Sequence, residues 1–202
     1  MSMFCFQCEQ TAKGTGCTVR GVCGKTPETA TLQDLLFHAA KGIAQYAHRA
    51  GKLGARDREL DVFVVEALFT TVTNVNFDPA RLETMLKRAG VLKDKARKLY
   101  EEACRKQAKS PETPSGPAAL ALASARDGLL RQGQAVGIMM RREMNGPDIS
   151  GLQELLAYGL NGAAAYADHA QVLQVEDDKV YAFFQGLDLL VGPVFLAGEL
   201  HQ

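Results

Sequence analysis

Leu32-Gln33-Asp34-Leu35-Leu36, followed by Gly42, Ala44, Tyr46, Ala47, Ala50 and Leu53, returns 120 residues later. The second copy reads Leu152-Gln153-Glu154-Leu155-Leu156, followed by Gly162, Ala164, Tyr166, Ala167, Ala170 and Leu173. With Asp34 matched to Glu154, eleven of 22 positions agree. In the first copy Leu32, Leu35, Leu36, Ala39, Ile43, Ala44, Tyr46 and Ala47 fall at helical spacing on one face. Shared amphipathicity does not require a glycine and a tyrosine at the same places, so the repeat predicts two related helical bundles in tandem. Gly42 and Gly162 each cost about 1 kcal/mol relative to alanine inside a helix. Close approach of a neighbouring helix is the expected reason for both.

Working outward, Thr31 reads as the N-cap of the first helix with Asp34 as its reciprocal acid, and Gly51 or Gly54 as the exit. A second helix is expected from about Asp61 through Val72, with Phe63, Val64, Ala67, Leu68 and Val72 inward. The turn-rich stretch Thr73 to Asp78 follows, and Pro79 suits the first turn of a third helix capped by Asp78. That helix carries Leu82, Met85, Leu86 and Ala89 and is expected to break near Gly90. A fourth then continues through Ala96, Leu99, Tyr100, Ala103 and Cys104. Ser110 to Pro117 holds three prolines and a glycine in eight residues, which reads as a linker. Ala118 to Met144 is helix-prone despite Gly128, Gly133 and Gly137, and Asn145-Gly146-Pro147-Asp148 marks a turn. The expected fold is all-α: a cysteine-rich loop over 1–30, a first helical bundle over 31–110, a linker over 111–117 and a second bundle over 118–202.

The 202 residues carry 23 basic and 23 acidic side chains, so no net charge draws the chain to nucleic acid or to an anionic membrane. The hydrophobic fraction of 47% is that of a chain with a core. Leu189 to Ala197, the most apolar stretch, is interrupted by Gly192 and Pro193 and is too short to span a bilayer. Met1 to Cys8 lacks the pattern of a secretory leader, which points to the cytoplasm.

Four of the five cysteines, Cys5, Cys8, Cys17 and Cys23, lie within the first 23 residues. In a reducing compartment such a group binds metal or does redox chemistry rather than forming a disulfide framework. The spacing is C-x2-C-x8-C-x5-C, and four soft thiolates suit either a structural zinc or an iron-sulfur cluster. The second pair lacks a short zinc knuckle, which favours the cluster while leaving zinc open. Gly14, Gly16, Gly21 and Gly24 let the chain curl. Phe4 and Phe6 flank the first ligand and can exclude water; Gly14, Thr15 and Gly16 can turn amides toward sulfur. Lys13, Arg20 and Lys25 add local positive charge. No residue of this group is a general acid or base. His38 and His48 sit ten apart on one helix, about 15 Å along its axis, too far to share a metal. His169 reads as a packed or surface side chain and Cys104 as a buried, inert thiol.

Met3-Phe4-Cys5-Phe6-Gln7-Cys8-Glu9-Gln10-Thr11, Gly16-Cys17-Thr18 and Gly21-Val22-Cys23-Gly24-Lys25-Thr26 resemble the amino terminus of the hybrid-cluster proteins, also called prismane proteins or hydroxylamine reductases. The resemblance continues through Leu32-Gln33-Asp34-Leu35-Leu36, Thr73-Asn74-Val75-Asn76-Phe77-Asp78 and Gly162-Ala163-Ala164-Ala165-Tyr166-Ala167-Asp168-His169-Ala170. It implies a pair of helical bundles and an electron-transfer cluster on Cys5, Cys8, Cys17 and Cys23. It also implies the cubane [4Fe-4S] class rather than the wider-spaced [2Fe-2S] class, with a redox partner protein as electron donor. The family reduces hydroxylamine to ammonia and water and has been linked to nitric oxide reduction in nitrosative stress. By the same resemblance the ligands of the hybrid iron-sulfur-oxygen cluster lie in later domains absent from this sequence. No catalytic residue is therefore assigned, and the expected role is the electron-transfer portion of the enzyme. A stand-alone ferredoxin-like carrier and a zinc-stabilised helical interaction module are the alternatives. After about Gln185 the sequence leaves the family pattern, and the second bundle reads as truncated or divergent there.

Overall fold

A computed structural model describes residues 3–71 and 76–187. It consists of helices α1 (Pro27–Lys52), α2 (Arg58–Thr71), α3 (Pro79–Lys106), α4 (Arg126–Val136), α5 (Ile138–Asn145), α6 (Pro147–Val172) and α7 (Asp178–Gln185). Short 3-10 turns occupy Ala12–Gly14 and Gly116–Ala119, and no strand occurs among the described residues. The fold is all-α, as the periodicity predicts. Part of the Thr73 to Asp78 turn, the apolar stretch after Leu187 and the expected divergence beyond 185 lie outside the described residues.

The repeat is carried by the backbone as well as by the sequence. α1 and α6 both begin at a proline, both run 26 residues, and their ends are offset by the same 120 positions. Each closes on a leucine cap, Leu53 or Leu173, whose N–H returns to Ala50 or Ala170. Gly54 (φ +78) and Gln174 (φ +61) then both turn left-handed. α2 and α7 start at equivalent places: the Asp57 carboxylate accepts the N–H of Glu59 at 3.0 Å, and that of Asp177 accepts Lys179 N–H at 2.7 Å.

The two copies differ in what covers them. α1 is enclosed by α2, α3, α4, α7 and the Gly116–Ala119 turn, whereas α6 packs on α2, α5 and α7. Leu35 is fully buried but its counterpart Leu155 is 69% exposed; Tyr46 is 6% exposed and Tyr166 81%. A counterpart of α3 at the same offset would start at residue 199, outside the described residues. The buried side chains of both copies nevertheless form one core, from Leu32 and Leu60 to Leu160 and Phe184.

Several local expectations are corrected. α1 starts five residues before Leu32: Thr26 caps it by accepting the Thr29 N–H, Pro27 fills the first turn, and Thr31 is already helical, donating to Pro27 O at 2.8 Å. α3 runs unbroken through Gly90, because one glycine costs too little to interrupt a helix held by Leu86, Ala89 and Leu92 in the core. Asp78 caps α3 as expected, accepting Ala80 N–H at 2.9 Å. Gly42 meets its expectation: a β-carbon there would stand 2.5 Å from Pro117 O. Gly162 does not, since nothing lies within 4 Å of its β-carbon position. The proline-rich stretch thus ends packed on α1, where the Gln45 side chain accepts Ala118 N–H at 2.8 Å and donates to Ser115 O at 3.3 Å.

A charged layer crosses the junction of α1, α5 and α6. Arg141 of α5 pairs with the buried Glu154 of α6, and Asp34 and Lys41 face them from α1. Lys41 is buried with its ammonium 4.4 Å from the Phe37 ring centroid. Burial pushes Asp34 up to about 7, Arg141 opposing and Glu154 reinforcing the shift. Burial likewise lowers Lys41 to about 7. His38, one turn from Asp34, is lowered to about 4 by burial and then by the charges of Lys41, Arg141 and Lys93.

These contacts make three predictions. Gly42→Ala should destabilise the chain by about 2 kcal/mol through overpacking against the Pro117 carbonyl. Gly162→Ala should stabilise it by about 1 kcal/mol through helix propensity, and denaturant midpoints measure both. His38 has a folded pKa below its unfolded value near 6.5, so its contribution is complete above that value and is lost as pH falls toward about 4. Between pH 7 and 4.5 the wild-type chain should therefore lose about 2 kcal/mol more unfolding free energy than His38→Gln.

Candidate metal centre

The cysteine loop has no helix or sheet to shape it, so glycines and side-chain contacts do. Cys5 and Cys17 meet as an isolated antiparallel bridge, with Cys5 N–H on Cys17 O at 3.1 Å and Cys17 N–H on Cys5 O at 2.8 Å. Gly16 makes this approach possible: at φ +147 its β-carbon would stand 2.6 Å from the Phe4 ring. A second turn, closed by Gly21 N–H on Lys25 O at 2.8 Å, returns the chain toward α1. There Gly21 packs so tightly on Cys23 Sγ and Lys25 Cβ that a side chain would meet them at 3.0 and 2.9 Å. Met3, Cys5, Cys17 and Ala30 form a small apolar cluster beneath the loop. Phe4 and Phe6 stack edge to face at 5.2 Å beside it.

The sulfurs differ in surroundings. Burial raises the Cys5 thiol, countered by Lys25 and by the Gln7 amide and reinforced by Asp34. Burial also disfavours ionisation of Cys17, but the amides of Ala12 and Val22, the Thr11 hydroxyl and Lys25 outweigh it and lower that thiol. Ala12 N–H lies 3.4 Å from Cys17 Sγ. The amides of Gly14, Thr15 and Gly16, expected to reach sulfur, instead close the turn onto Thr11 O and Ala12 O. Cys8 is half-buried and lines a cavity of about 440 Å³ with Phe6, Glu154, Leu155 and Tyr158. Cys23 is half-buried at the second turn. All four are free thiols, and among the described residues no three ligand-type side chains converge on one metal position.

Of the three basic residues, Lys13 and Arg20 are exposed. Lys25 is 1% exposed, with Nζ 4.0 Å from Cys5 Sγ and 5.9 Å from the Phe77 ring centroid. A buried ammonium costs several kcal/mol unless an anion faces it. Among the described residues Lys25 has no carboxylate in ion-pair contact, so the sulfur pole of the loop is what faces it. The donor set fits a thiolate-bound iron-sulfur group: four free thiols in one loop, amide donors on Cys17 and a buried cation on Cys5. Asp34, whose charge reaches both Cys5 and Lys25, was not foreseen; its pairing with Glu154 in the repeat is the signal that marks it.

The other candidates stay apart from the loop. Cys104 is buried in α3, near Tyr100. His169 lies edge-on to Phe69 at 5.6 Å between α6 and α2. His38 and His48 remain separate on α1, and His201 falls outside the described residues. No described helix is long and apolar enough to cross a membrane.

Comparison with known proteins places this geometry. Residues 3–189 match the model of the Prismane/CO dehydrogenase family. A protein named hydroxylamine reductase from Rhodospirillum rubrum is 54% identical over 181 residues, 90% of this chain and 33% of the relative. One of the same name from Geobacter sulfurreducens is 50% identical over 186 residues, 91% of this chain and 34% of the relative. One from Halothermothrix orenii is 45% identical over 203 residues, 99% of this chain and 36% of the relative. The chain thus spans about a third of the length of the curated relatives it matches, and the matched region takes in the cysteine loop, α1 to α7 and the repeat. The chain belongs to the Prismane/CO dehydrogenase family.

Proposed function

We propose that this chain is the iron-sulfur electron-transfer portion of a hydroxylamine reductase, with one [4Fe-4S] cluster held by Cys5, Cys8, Cys17 and Cys23. The observation that carries the reading is the buried Lys25 ammonium against the Cys5 sulfur, in a loop where a second of the four thiols, Cys17, meets amide donors. When bound, such a cluster accepts and returns single electrons. The residues of the chain supply the rest. Lys25 offsets negative charge at the loop, Ala12 and Thr11 support Cys17, and Phe4, Phe6 and Met3 keep water from the Cys5 side. Cys8, beside Leu155 and Tyr158, marks the side on which a redox partner protein approaches.

The activity belongs to the longer assembly. Reduction of hydroxylamine to ammonia and water, with nitric oxide as a second substrate in nitrosative stress, needs a metal centre with an open position. No residue of this chain is assigned to it, and the hybrid cluster belongs to later domains of the family. The setting proposed is the cytoplasm.

Chemical analysis of anaerobically purified protein tests the reading. About four irons and four acid-labile sulfides per chain are expected, with an EPR signal that appears on dithionite reduction; zinc without a bleachable visible band overturns it. Cys17→Ser should lose most of the iron, and Cys104→Ala should keep all of it. Lys25→Met should keep iron but shift the midpoint potential negative by on the order of 60 mV, about 1.4 kcal/mol for one electron, because the reduced loop loses its buried counter-charge.

A further inference from the structure

The charged layer adjoins the cysteine loop, and holding four thiolates does not require it. We propose that Asp34 binds one proton for each electron the cysteine loop receives, so that this chain carries an electron and a proton together. The inference rests on the iron-sulfur reading above.

Position is the first argument. Asp34 shares a cavity of about 430 Å³ with Met3 and Phe4, which lead directly into Cys5, and with Thr31, Gly137 and Met140. The carboxylate is enclosed by α1, α4, α5 and the loop yet open to that cavity, which gives water a route to it. Bonding is the second. Arg141 is engaged by Glu154 and Lys41 by the Phe37 ring, while Asp34 makes no side-chain hydrogen bond or ion pair among the described residues. Its proton affinity is therefore set by the surrounding field rather than by a fixed donor.

That field comes from identifiable groups. Lys41 faces Asp34 from α1, with His38 one turn along the same helix, Arg141 from α5, Glu154 from α6, and Lys25 and Cys5 from the loop; α4 lines the cavity with Gly133 and Gln134. Lys41, Arg141 and Lys25 lower the proton affinity of Asp34, and Glu154 raises it against a background of burial, so that the group rests at about 7. The charge of Asp34 also reaches the Cys5 sulfur directly. Extra negative charge at that sulfur raises the affinity of Asp34 for a proton by the same coupling, because linkage is reciprocal.

The balance is simple. A one-electron donor protein, or dithionite in the assay, would be oxidised by one electron, and the iron-sulfur group that Cys5, Cys8, Cys17 and Cys23 would hold would supply the acceptor. The Asp34 carboxylate takes one proton from bulk solvent by way of the cavity and becomes the neutral acid. The net charge of the buried region is unchanged, and reoxidation releases the proton. Cleavage of an N–O bond to ammonia and water consumes as many protons as electrons, so coupled delivery suits the proposed reaction.

Redox titration of the iron-loaded chain between pH 5.5 and 9 tests this. The wild-type midpoint potential should be level below about pH 7 and fall as pH rises above it, approaching 59 mV for each tenfold drop in proton concentration. Asp34→Asn should have a flat potential across that window, and Lys25→Met should keep the slope at a shifted potential. A redox-difference infrared spectrum should show a protonated carboxyl band growing on reduction of the wild type and missing in D34N. A flat wild-type potential, or a slope retained in D34N, overturns the proposal even if D34N folds poorly, since the first of these needs no variant. A wild-type chain that takes up no iron sinks this inference together with the functional reading; a loaded chain with a flat potential sinks the inference alone.

Discussion

The burial of α1 is the constraint on which the structure depends. Leu32, Leu35, Leu36, Ala40, Ile43 and Ala44 are fully buried, and the helix is enclosed on several sides. Burying polar side chains of such a helix costs free energy unless they find partners inside the protein. Gln33 donates to Asn76 O at 2.8 Å and fixes the chain just before α3. Gln45 holds both ends of the turn that packs on Gly42. Asp34 and Lys41 lie in the field of the Arg141–Glu154 pair without a direct bond to it among the described residues. Gln33 and Gln45 are thus joints from the buried length of α1 to other parts of the molecule, and the cysteine loop is attached where α1 begins.

Attachment at that end has electrostatic consequences. Lys25 stands just before the Thr26 cap, so forming α1 also sets where the buried ammonium lies relative to Cys5. Because the interior screens charge weakly, the loop, Lys25 and the layer around Asp34 act on one another without direct contact. The charge surrounding the four cysteines is in this sense a property of the helix junction as much as of the loop.

How much of this was readable from sequence depends on the kind of information each element uses. The repeat, the Asp78–Pro79 start of α3 and the inward stripe of α2 rest on local periodicity and capping, and they were legible. The true start of α1 was not, because Thr26-Pro27 lies amid glycines and reads as part of the loop. Gly90 looked like a break because propensity was weighed without the packing of Leu86 and Leu92. α7, eight residues long, is too short for a periodic signal. The clustering of four cysteines in one loop is read directly from the sequence. The burial of Lys25 is not, because a lysine after a glycine turn reads as solvated until the fold closes over it.

The unequal fate of the two repeats shows what sequence similarity does and does not carry. Gln33 and Gln153 are both buried, and Asp34 and Glu154 both face Arg141, because these positions look toward the shared junction. Leu35 and Leu155, or Tyr46 and Tyr166, share a residue type but not a neighbour, so the same side chain is core in one copy and surface in the other. Gly42 and Gly162 divide in the same way: one is required by the Pro117 carbonyl, and the other faces open space. A repeat therefore fixes backbone and capping in both copies, whereas burial is decided by which neighbour each copy has. The acids survive this difference because both face Arg141 of α5 at the junction, and for that reason the charged layer is intact in the described residues while the apolar face of α6 stands exposed.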